Sequence, residues 1–397
     1  MNKQLTSKLS NLIITAFFAL ATATACASDT AHAEGSDKPF NAGEMIVHHI
    51  ADAHDIHIIG PYSIPLPVIL KTDAGIHTFL SSKFHHGHNI VKSNEEYFVM
   101  AAGKIYQTDE HGTLTYCVPS MDGEGNTNEG KCAETIEVNY LDAHHKFVAP
   151  EGSHLLNVRP FDMSITKSVF GLLVVMVLMI FIFRAVARGY KKKEGKAPSG
   201  ITNVLEPLIL FVRDEIAIPS IGKKHAGRFM PFLLTVFFFI WLCNIMGLIP
   251  FIGGFNITGT LSVTLVLATI VFIITTVSAN KHYWGHILWP PGVPLPIKLI
   301  LVPIEVVGIF LKPIVLMVRL TANITAGHII ILAFVSLIFM FGEGGEAMGA
   351  GIGVGIGATL FMIFMFFIEL LVAFLQAFVF TLLAALYFGD ATHEAHH

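Results

Sequence analysis

Charge is what this sequence is short of. Its 25 lysines and arginines and 29 aspartates and glutamates make up 14% of 397 residues; a soluble domain carries about 25%. The deficit is uneven. Residues 28–160 are polar and rich in His, Asp and Gly, whereas residues 163–390 are mostly Phe, Ile, Leu, Val, Met and Gly. That excludes one soluble globule and predicts an extramembrane domain followed by a helical membrane domain. A G-x-x-x-x-G-K-[ST] loop is missing, so a nucleotide is not bound by that route. A basic, aromatic-interleaved patch is missing too, which argues against nucleic acid. No cofactor and no defined metal site are expected.

Cysteine is also scarce, and each one reads differently. The N-terminal stretch "MNKQLTSKLSNLIITAFFALATATACASD" has Lys3 and Lys8, an apolar run from Leu12 to Leu20, and small residues after it. Ala25-Cys26-Ala27 fits a cleavage site, so residues 1–27 read as a signal peptide. Cys26 as a lipid-bearing cysteine is the alternative, although Ala23 is a poor residue three positions before it. Either reading exports residues 28–160 as a periplasmic domain. Cys117 and Cys132 flank a Gly/Asn/Asp-rich loop, where an oxidising compartment permits a disulfide. Closing so short a loop stabilises a fold by about 3 kcal/mol. Cys243, inside an apolar run, reads as a small buried side chain.

Five apolar stretches are long enough to cross a bilayer: 165–183, 229–251, 258–279, 297–341 and 352–388. "RAVARGYKKKEGK" follows the first and marks the cytoplasmic side. Five crossings from an exported N-terminal domain leave the C-terminus in the cytoplasm. Between the first two spans, "ITNVLEPLILFVRDEIAIPSIGKKHAGR" intersperses apolar residues with Glu206, Arg213, Asp214 and Glu215, the pattern of a surface helix. The fourth stretch, as helix, would run about 65–70 Å, over twice the bilayer core. The fourth and fifth stretches are therefore expected as long tilted helices. Joined by the glycine-rich "GEGGEAMGAGIGVGIG", they would make a hairpin in the membrane. The expected class is an all-α polytopic membrane protein with a small β-containing periplasmic domain; "EEYFVMAAGKIYQT" and "GTLTYCV" suggest the strands.

Inside the fourth stretch lies "VRLTANITAGH", and Arg319 within it. An arginine at the centre of a spanning helix costs at least about 2.5–3.5 kcal/mol, so it needs a partner or a job. Lys298, Glu305, Lys312 and Arg319 recur every seventh residue. At about 100° per residue they form one shallow stripe, with Asn323 about 40° from Arg319 and His328 roughly opposite. In the last stretch Glu369 and Gln376 share a face. His, Glu and Gln on one aqueous crevice have the chemistry of a proton relay; an ordinary interhelical hydrogen-bonded pair is the plainer reading.

These residues carry a resemblance. "FLLTVFFFIWLCNIMGLIP", "LILVPIEVVGIFLKPIVLMVRLTANITAGH" and "LLVAFLQAFVFTLLAALYF" resemble the subunit a family of F-type ATP synthases, over roughly residues 200–390. The resemblance implies a membrane domain over 161–397, a non-catalytic stator chain for the synthase. It implies two ion half-channels beside a rotating c-ring, with c-ring subunits, b-type peripheral stalk subunits and lipid as partners. The F1 sector would be reached only indirectly. Arg319 matches the family's essential arginine, and His328 and Glu369 a polar pair in the ion path. Some members have the acid first and the histidine second. Gln376 matches the family's glutamine opposite the arginine and Asn323 a nearby polar position, while Glu305, Lys312 and Asn244 fall on matched polar positions with less defined roles.

Rival readings remain. An intramembrane Arg–Glu site would also suit a secondary transporter, which predicts inverted repeats and broken helices; no convincing repeat is visible. "HEAHH" at 393–397 formally matches a zinc-protease motif, but it ends the chain, where ordering is poor. His48, His49, Asp52, His54 and His57, then His85, His86 and His88, contain metal-ligand types without a ligand spacing. The first of these segments also fits an amphipathic helix.

Overall fold

The structure, a computed structural model, describes residues 43, 46, 52–59, 62–101, 103–121, 127–139, 154–192, 200–249, 255–290, 293–341 and 348–392. The leader at 1–27, His48, His49, the first part of the glycine-rich linker and the terminal "HEAHH" lie outside them. The described residues from 52 to 170 form one compact unit and those from 171 to 392 another.

The first unit is built from antiparallel strands. β1 (Asp55–Ile59) pairs with β2 (Tyr62–Pro65). β3 (Pro67–Thr72) and β4 (Gly75–Leu80) form a hairpin, followed by a 3-10 helix over Ser81–Gly87. β5 (Val91–Ser93), β6 (Glu96–Ala101) and β7 (Lys104–Thr108) make a three-stranded sheet. β8 (Thr113–Met121) and β9 (Thr127–Asn139) pair beside β10 (His154–Leu155). β11 (Phe161–Asp162) returns to the edge of β3. Val68, Leu70, Phe79, Phe84, Val91, Phe98 and Ile105 fill its main core. The helical alternative for the segment around residue 55 fails from there onward. "DIHII" pairs as a strand with "YSIP" instead, in register from Asp55↔Pro65 to Ile59↔Tyr62.

Polar groups pin this unit. Cys117 and Cys132 join β8 to β9 in a disulfide, their Cα atoms 5.3 Å apart. Buried His77 contacts Glu96 at 2.8 Å and Ser93 at 3.1 Å. Buried His54 bonds Asp162 at 2.9 Å. Among the described residues no group of three His, Cys, Asp or Glu could hold a metal ion.

The helices follow. α1 (Lys167–Lys192) begins within the first unit, and its opening N–H groups are all met. Lys167 donates to the Ala53 carbonyl (2.8 Å), Ser168 to Asp52 (2.9 Å), Val169 to the Thr166 hydroxyl (3.5 Å) and Phe170 to the Thr166 carbonyl (2.9 Å). The expected surface helix appears as α2 (Ile201–Phe211), a π-helical turn over Val212–Ala217, and α3 (Ile218–Ile221). Leu205, Val212, Ile216 and Ile221 are its buried face. It stops sooner than the sequence suggests. Gly222, at φ 84°, turns the chain, and α4 (Lys223–Leu248) starts there. α5 (Leu261–Ser278), the short α6 (Lys281–Leu288), α7 (Leu295–Phe341) and α8 (Met348–Thr392) complete the chain. Among the described residues, α1, α4, α5, α7 and α8 are the five helices long and apolar enough to cross a membrane.

α7 has 47 residues and α8 45, each a single helix. They lie antiparallel. Phe334 meets Phe361, Gly327 meets Glu369, and Lys312 meets Tyr387. Small residues allow the approach: Ala373, Ala377, Ala384 and Ala385 of α8 are fully covered by protein.

The Asp162 pair yields a pH prediction. Burial alone would raise that carboxyl, but hydrogen bonds from His54 and Ser164 outweigh burial and hold it down at about 2, against an ordinary 3.8. A depressed carboxylate stabilises the fold fully above its ordinary value, and that contribution is lost as pH falls toward the folded one. The β-unit of the full chain should therefore lose urea resistance from about pH 4 down to about pH 2, read by amide exchange in β3. Asp162→Asn should flatten that part of the profile; an unchanged slope would refute the assignment.

Candidate functional site

Arg319 sits on the fourth spanning helix, on a face that no described part of the chain covers. Ala322, Asn323 and Ala326 are exposed around it, while Leu316 and Leu320 point into the core. Arg319 forms no hydrogen bond or ion pair with a described residue, though Tyr387 is within electrostatic reach. The uncovered face continues along α7 through Ile304, Val307, Leu311, Ile314 and Val318.

One polar cluster lies C-terminal to Arg319 on α7, enclosed by neighbouring helices. Asn244 of α4 donates to the Ala373 carbonyl of α8 (3.2 Å) and accepts from the Thr258 hydroxyl (2.6 Å). Thr264 of α5 bonds Thr321 of α7 at 2.7 Å. The His328 ring lies against Gly247, where a Cβ would stand 3.5 Å from Nε2 and 2.9 Å from the Phe255 carbonyl oxygen. The Glu369 carboxyl packs on the Cα of Gly327, in a space only glycine leaves open. Glu369 is buried, and neither of its oxygens has a hydrogen-bond partner among the described residues. His328 and Glu369 are thus brought to adjacent positions without a direct hydrogen bond.

A second polar group lies toward the N-terminal end of α7. Lys312 is 3.7 Å from Asp390 and 5.0 Å from the Tyr387 ring centroid. Tyr283 of α6 is within electrostatic reach of Asp390 and Glu305. Thr275, Tyr283, Lys312 and Tyr387 line a small pocket. Asn280 ties the end of α8 in place through the Ala391 and Thr392 carbonyls, at 2.9 and 3.0 Å. Lys298, the last of the stripe, rests over Trp289 at 4.2 Å.

The sequence-predicted residues therefore divide. Asn244, His328 and Glu369 gather between α4, α7 and α8. Glu305 belongs with the second group. Arg319 and Asn323 share the open face. Gln376 is buried, and the α7–α8 register brings it level with Leu320, next to Arg319. Sequence reasoning missed Thr258, Asn256 and Thr264, all buried polar residues. For Asn256 and Thr258 the signal was "FNITGT", a polar run between two apolar helices, whereas Thr264 lies inside α5. It also missed Tyr283, Tyr387 and Asp390, which are tens of residues from Lys312 in sequence.

Long apolar helices with Asn and Glu buried and a His partly buried between them define a polytopic membrane protein with ionisable groups at mid-helix. A model of the family described as ATP synthase A chain matches residues 169–389. A second model, described as a domain of unknown function, matches residues 45–131. An ATP synthase subunit a 2 of Chlorobium luteolum is 37% identical over 324 residues, covering 77% of this chain and 92% of that one. An ATP synthase subunit a of Chlorobium phaeobacteroides is 38% identical over 276 residues, with 68% and 78% covered. One from Myxococcus xanthus is 40% identical over 250 residues, with 59% and 75% covered. The chain belongs to the ATP synthase A chain family, and so is a multi-pass membrane subunit of the synthase, concerned with ion transport in ATP synthesis. The first alignment takes in more of the chain than residues 169–397 contain, so it runs into the β-unit.

The Gly327–Glu369 contact is testable. A methyl group at 327 must displace the carboxyl or separate the helices, and overpacking of this kind costs about 1–3 kcal/mol. Gly327→Ala should lower the melting temperature and ATP-driven pumping of the complex. Gly227→Ala, where a Cβ meets nothing within 4 Å, should leave both unchanged. Equal behaviour of the two would refute the packing argument.

Proposed function

We propose that this chain is the stator that lines two proton half-channels beside the rotating c-ring and so couples proton flow to ATP synthesis. The carrying observation is the distribution of polar groups along α7. One enclosed cluster lies on one side of Arg319, another polar group on the other, and Arg319 stands between them on the open face. His328 is nine residues from Arg319 and Glu305 fourteen, or about 13 and 21 Å of helix rise.

The chemistry follows from that spacing. A proton enters by one half-channel and neutralises a carboxylate on the ring, which can then face lipid. Returning to the stator, the carboxylate meets a fixed guanidinium, which stabilises its ionised form, and the proton leaves by the other half-channel. The same charge repels a proton passing straight between the channels. His328, Glu369 and Asn244 serve the first path. Both carboxyl oxygens of Glu369 are buried with no hydrogen-bond partner among the described residues, which suits a group that exchanges protons with water. Glu305, with Lys312, Tyr283 and Asp390, serves the second. Gln376 and Asn323 stand near the exchange point. A transporter would want interrupted helices at the site, whereas α7 runs on through Pro303 and Pro313.

The orientation we infer puts the β-unit in the periplasm and the C-terminus in the cytoplasm. A disulfide suits an oxidising compartment. Arg184, Arg188, Lys191 and Lys192 at the end of α1 suit the cytoplasmic side. The partners are then the c-ring against the open face of α7, and b-type stalk subunits elsewhere.

Arg319→Ala should assemble and yet abolish ATP-driven acidification of inverted vesicles; normal coupled pumping in that variant would overturn the mechanism. A second measurement probes the polar pair. His328→Glu with Glu369→His together should pump better than either His328→Ala or Glu369→Ala. A double variant no better than the singles would refute a shared path.

A further inference from the structure

Antiparallel sheets in water usually bury one face and present a polar one. The β11–β3–β4 sheet does not. Its inner face is ordinary, with Val68, Leu70, His77 and Phe79 all buried. Its outer face follows from the register. Phe161 lies beside Lys71, and Lys71 beside Ile76. Met163 donates its N–H to the Ile69 carbonyl, and Ile69 pairs with Thr78. Ile165 donates to the Pro67 carbonyl, and Pro67 pairs with Leu80. The outer surface is therefore Phe, Met and Ile on the edge strand, Pro and Ile in the middle, and Ile, Thr and Leu on the far strand. Lys71 is its one charge among these residues. Phe161 is 67% exposed, Ile76 64%, Met163 59% and Leu80 50%, among the described residues.

What covers this face follows from where the strand goes. The edge strand continues through Ile165 and Thr166 into α1 at Lys167. The first turn of α1 is bonded to residues 52 and 53 of the same unit. At about 3.3 Å per residue, Ile165, Met163 and Phe161 lie on the order of 7, 13 and 20 Å of chain from Lys167. A head-group layer is about 5–7 Å deep on each side of the hydrocarbon, so the apolar face starts at the membrane surface. The exposed apolar residues continue past it on the helix itself, at Val169, Leu173, Met176 and Val177.

We propose that this sheet face is a lipid-docking surface. It rests on the leaflet that α1 enters, with Phe161, Met163, Ile76 and Leu80 at the boundary between head groups and acyl chains. Lys71 lies among them with its stem along the apolar face and its ammonium at a lipid phosphate. The docking needs no partner protein, because the surface on which the face rests is the one that the next helix crosses.

The test uses the assembled complex in lipid vesicles, in a Cys26→Ser, Cys243→Ala background. A nitroxide is attached at Phe161→Cys, Ile76→Cys or Leu80→Cys in turn, and at Glu134→Cys on β9 as the water-facing reference. ATP-driven pumping checks that each labelled complex is assembled. Labels at 161, 76 and 80 should be relaxed by oxygen, which concentrates in lipid, in preference to a water-soluble nickel chelate. Their ratio should differ several-fold from that at 134. A ratio at 161 and 76 like that at 134 would overturn the proposal, since the face would then be free in water. Shielding from both reagents would overturn it too, because a protein surface would then occupy the face.

Discussion

A guanidinium that never gives up its proton has to be kept in a hydrocarbon layer, and much of the membrane unit can be understood from that constraint. Arginine cannot neutralise itself by losing a proton, as a buried carboxyl or lysine can. The described helices do not give Arg319 a fixed counter-ion. Leu316 and Leu320 turn inward on one side of α7, and the guanidinium is left on the other among alanines. A permanent salt bridge there would have spent the charge, for a paired arginine has little left to offer a passing carboxylate. Lys312, seven residues away on the same stripe, does have Asp390 and Tyr387. The contrast separates a cation held by its own chain from one left available.

The two long helices supply the other half of the design. Apolar side chains gain little by leaving lipid for one another, so close approach has to come from small residues. Gly247 lets α4 approach the Phe255 carbonyl, with the His328 ring beside it at ordinary contact distance, and Gly327 lets α7 accept the Glu369 carboxyl. These two oxygens therefore occupy space that a missing Cβ creates. Asn244 shows the same economy, for its amide reaches a backbone carbonyl of α8 on one side and a threonine hydroxyl on the other. Glu369 differs, for neither of its carboxyl oxygens is met by a described group. A buried carboxyl in that position suits an exchange with water.

Much of this was legible in the sequence, and the rest was not for identifiable reasons. The spans, the length of α7 and α8, and the separation of Arg319 from His328 around the helix follow from composition and a period of 3.6. The strands at 96–108 follow from alternation. Asn256 and Thr258 were overlooked because short polar residues between two spans look like an ordinary loop until they are seen buried, and Thr264 because one threonine inside an apolar helix carries no local signal. Tyr283, Tyr387 and Asp390 meet Lys312 only because α6 and the end of α8 come together beside the N-terminal half of α7, a fact of packing with no local signature. The end of the surface helix at Gly222 depended on a backbone angle that a glycine permits but does not require. The strand at 55–59 was lost to an equally good helical pattern, which short mixed segments cannot arbitrate.

The start of α1 shows how one chain serves two solvents. A spanning helix must have its first N–H groups satisfied before it meets lipid, since no water will do it afterwards. Here two of those groups are met by residues 52 and 53, more than a hundred positions earlier, and two by Thr166. Asp52 adds a negative charge at the helix N-terminus, where the dipole favours one. The His54–Asp162 pair then fastens the segment that provides this cap to the edge strand that leads into the helix. The β-unit is therefore more than an appendage. Its opening residues complete the hydrogen bonding of the first membrane helix, so the helix start and the β-unit belong to one folded unit even though their side chains face opposite media.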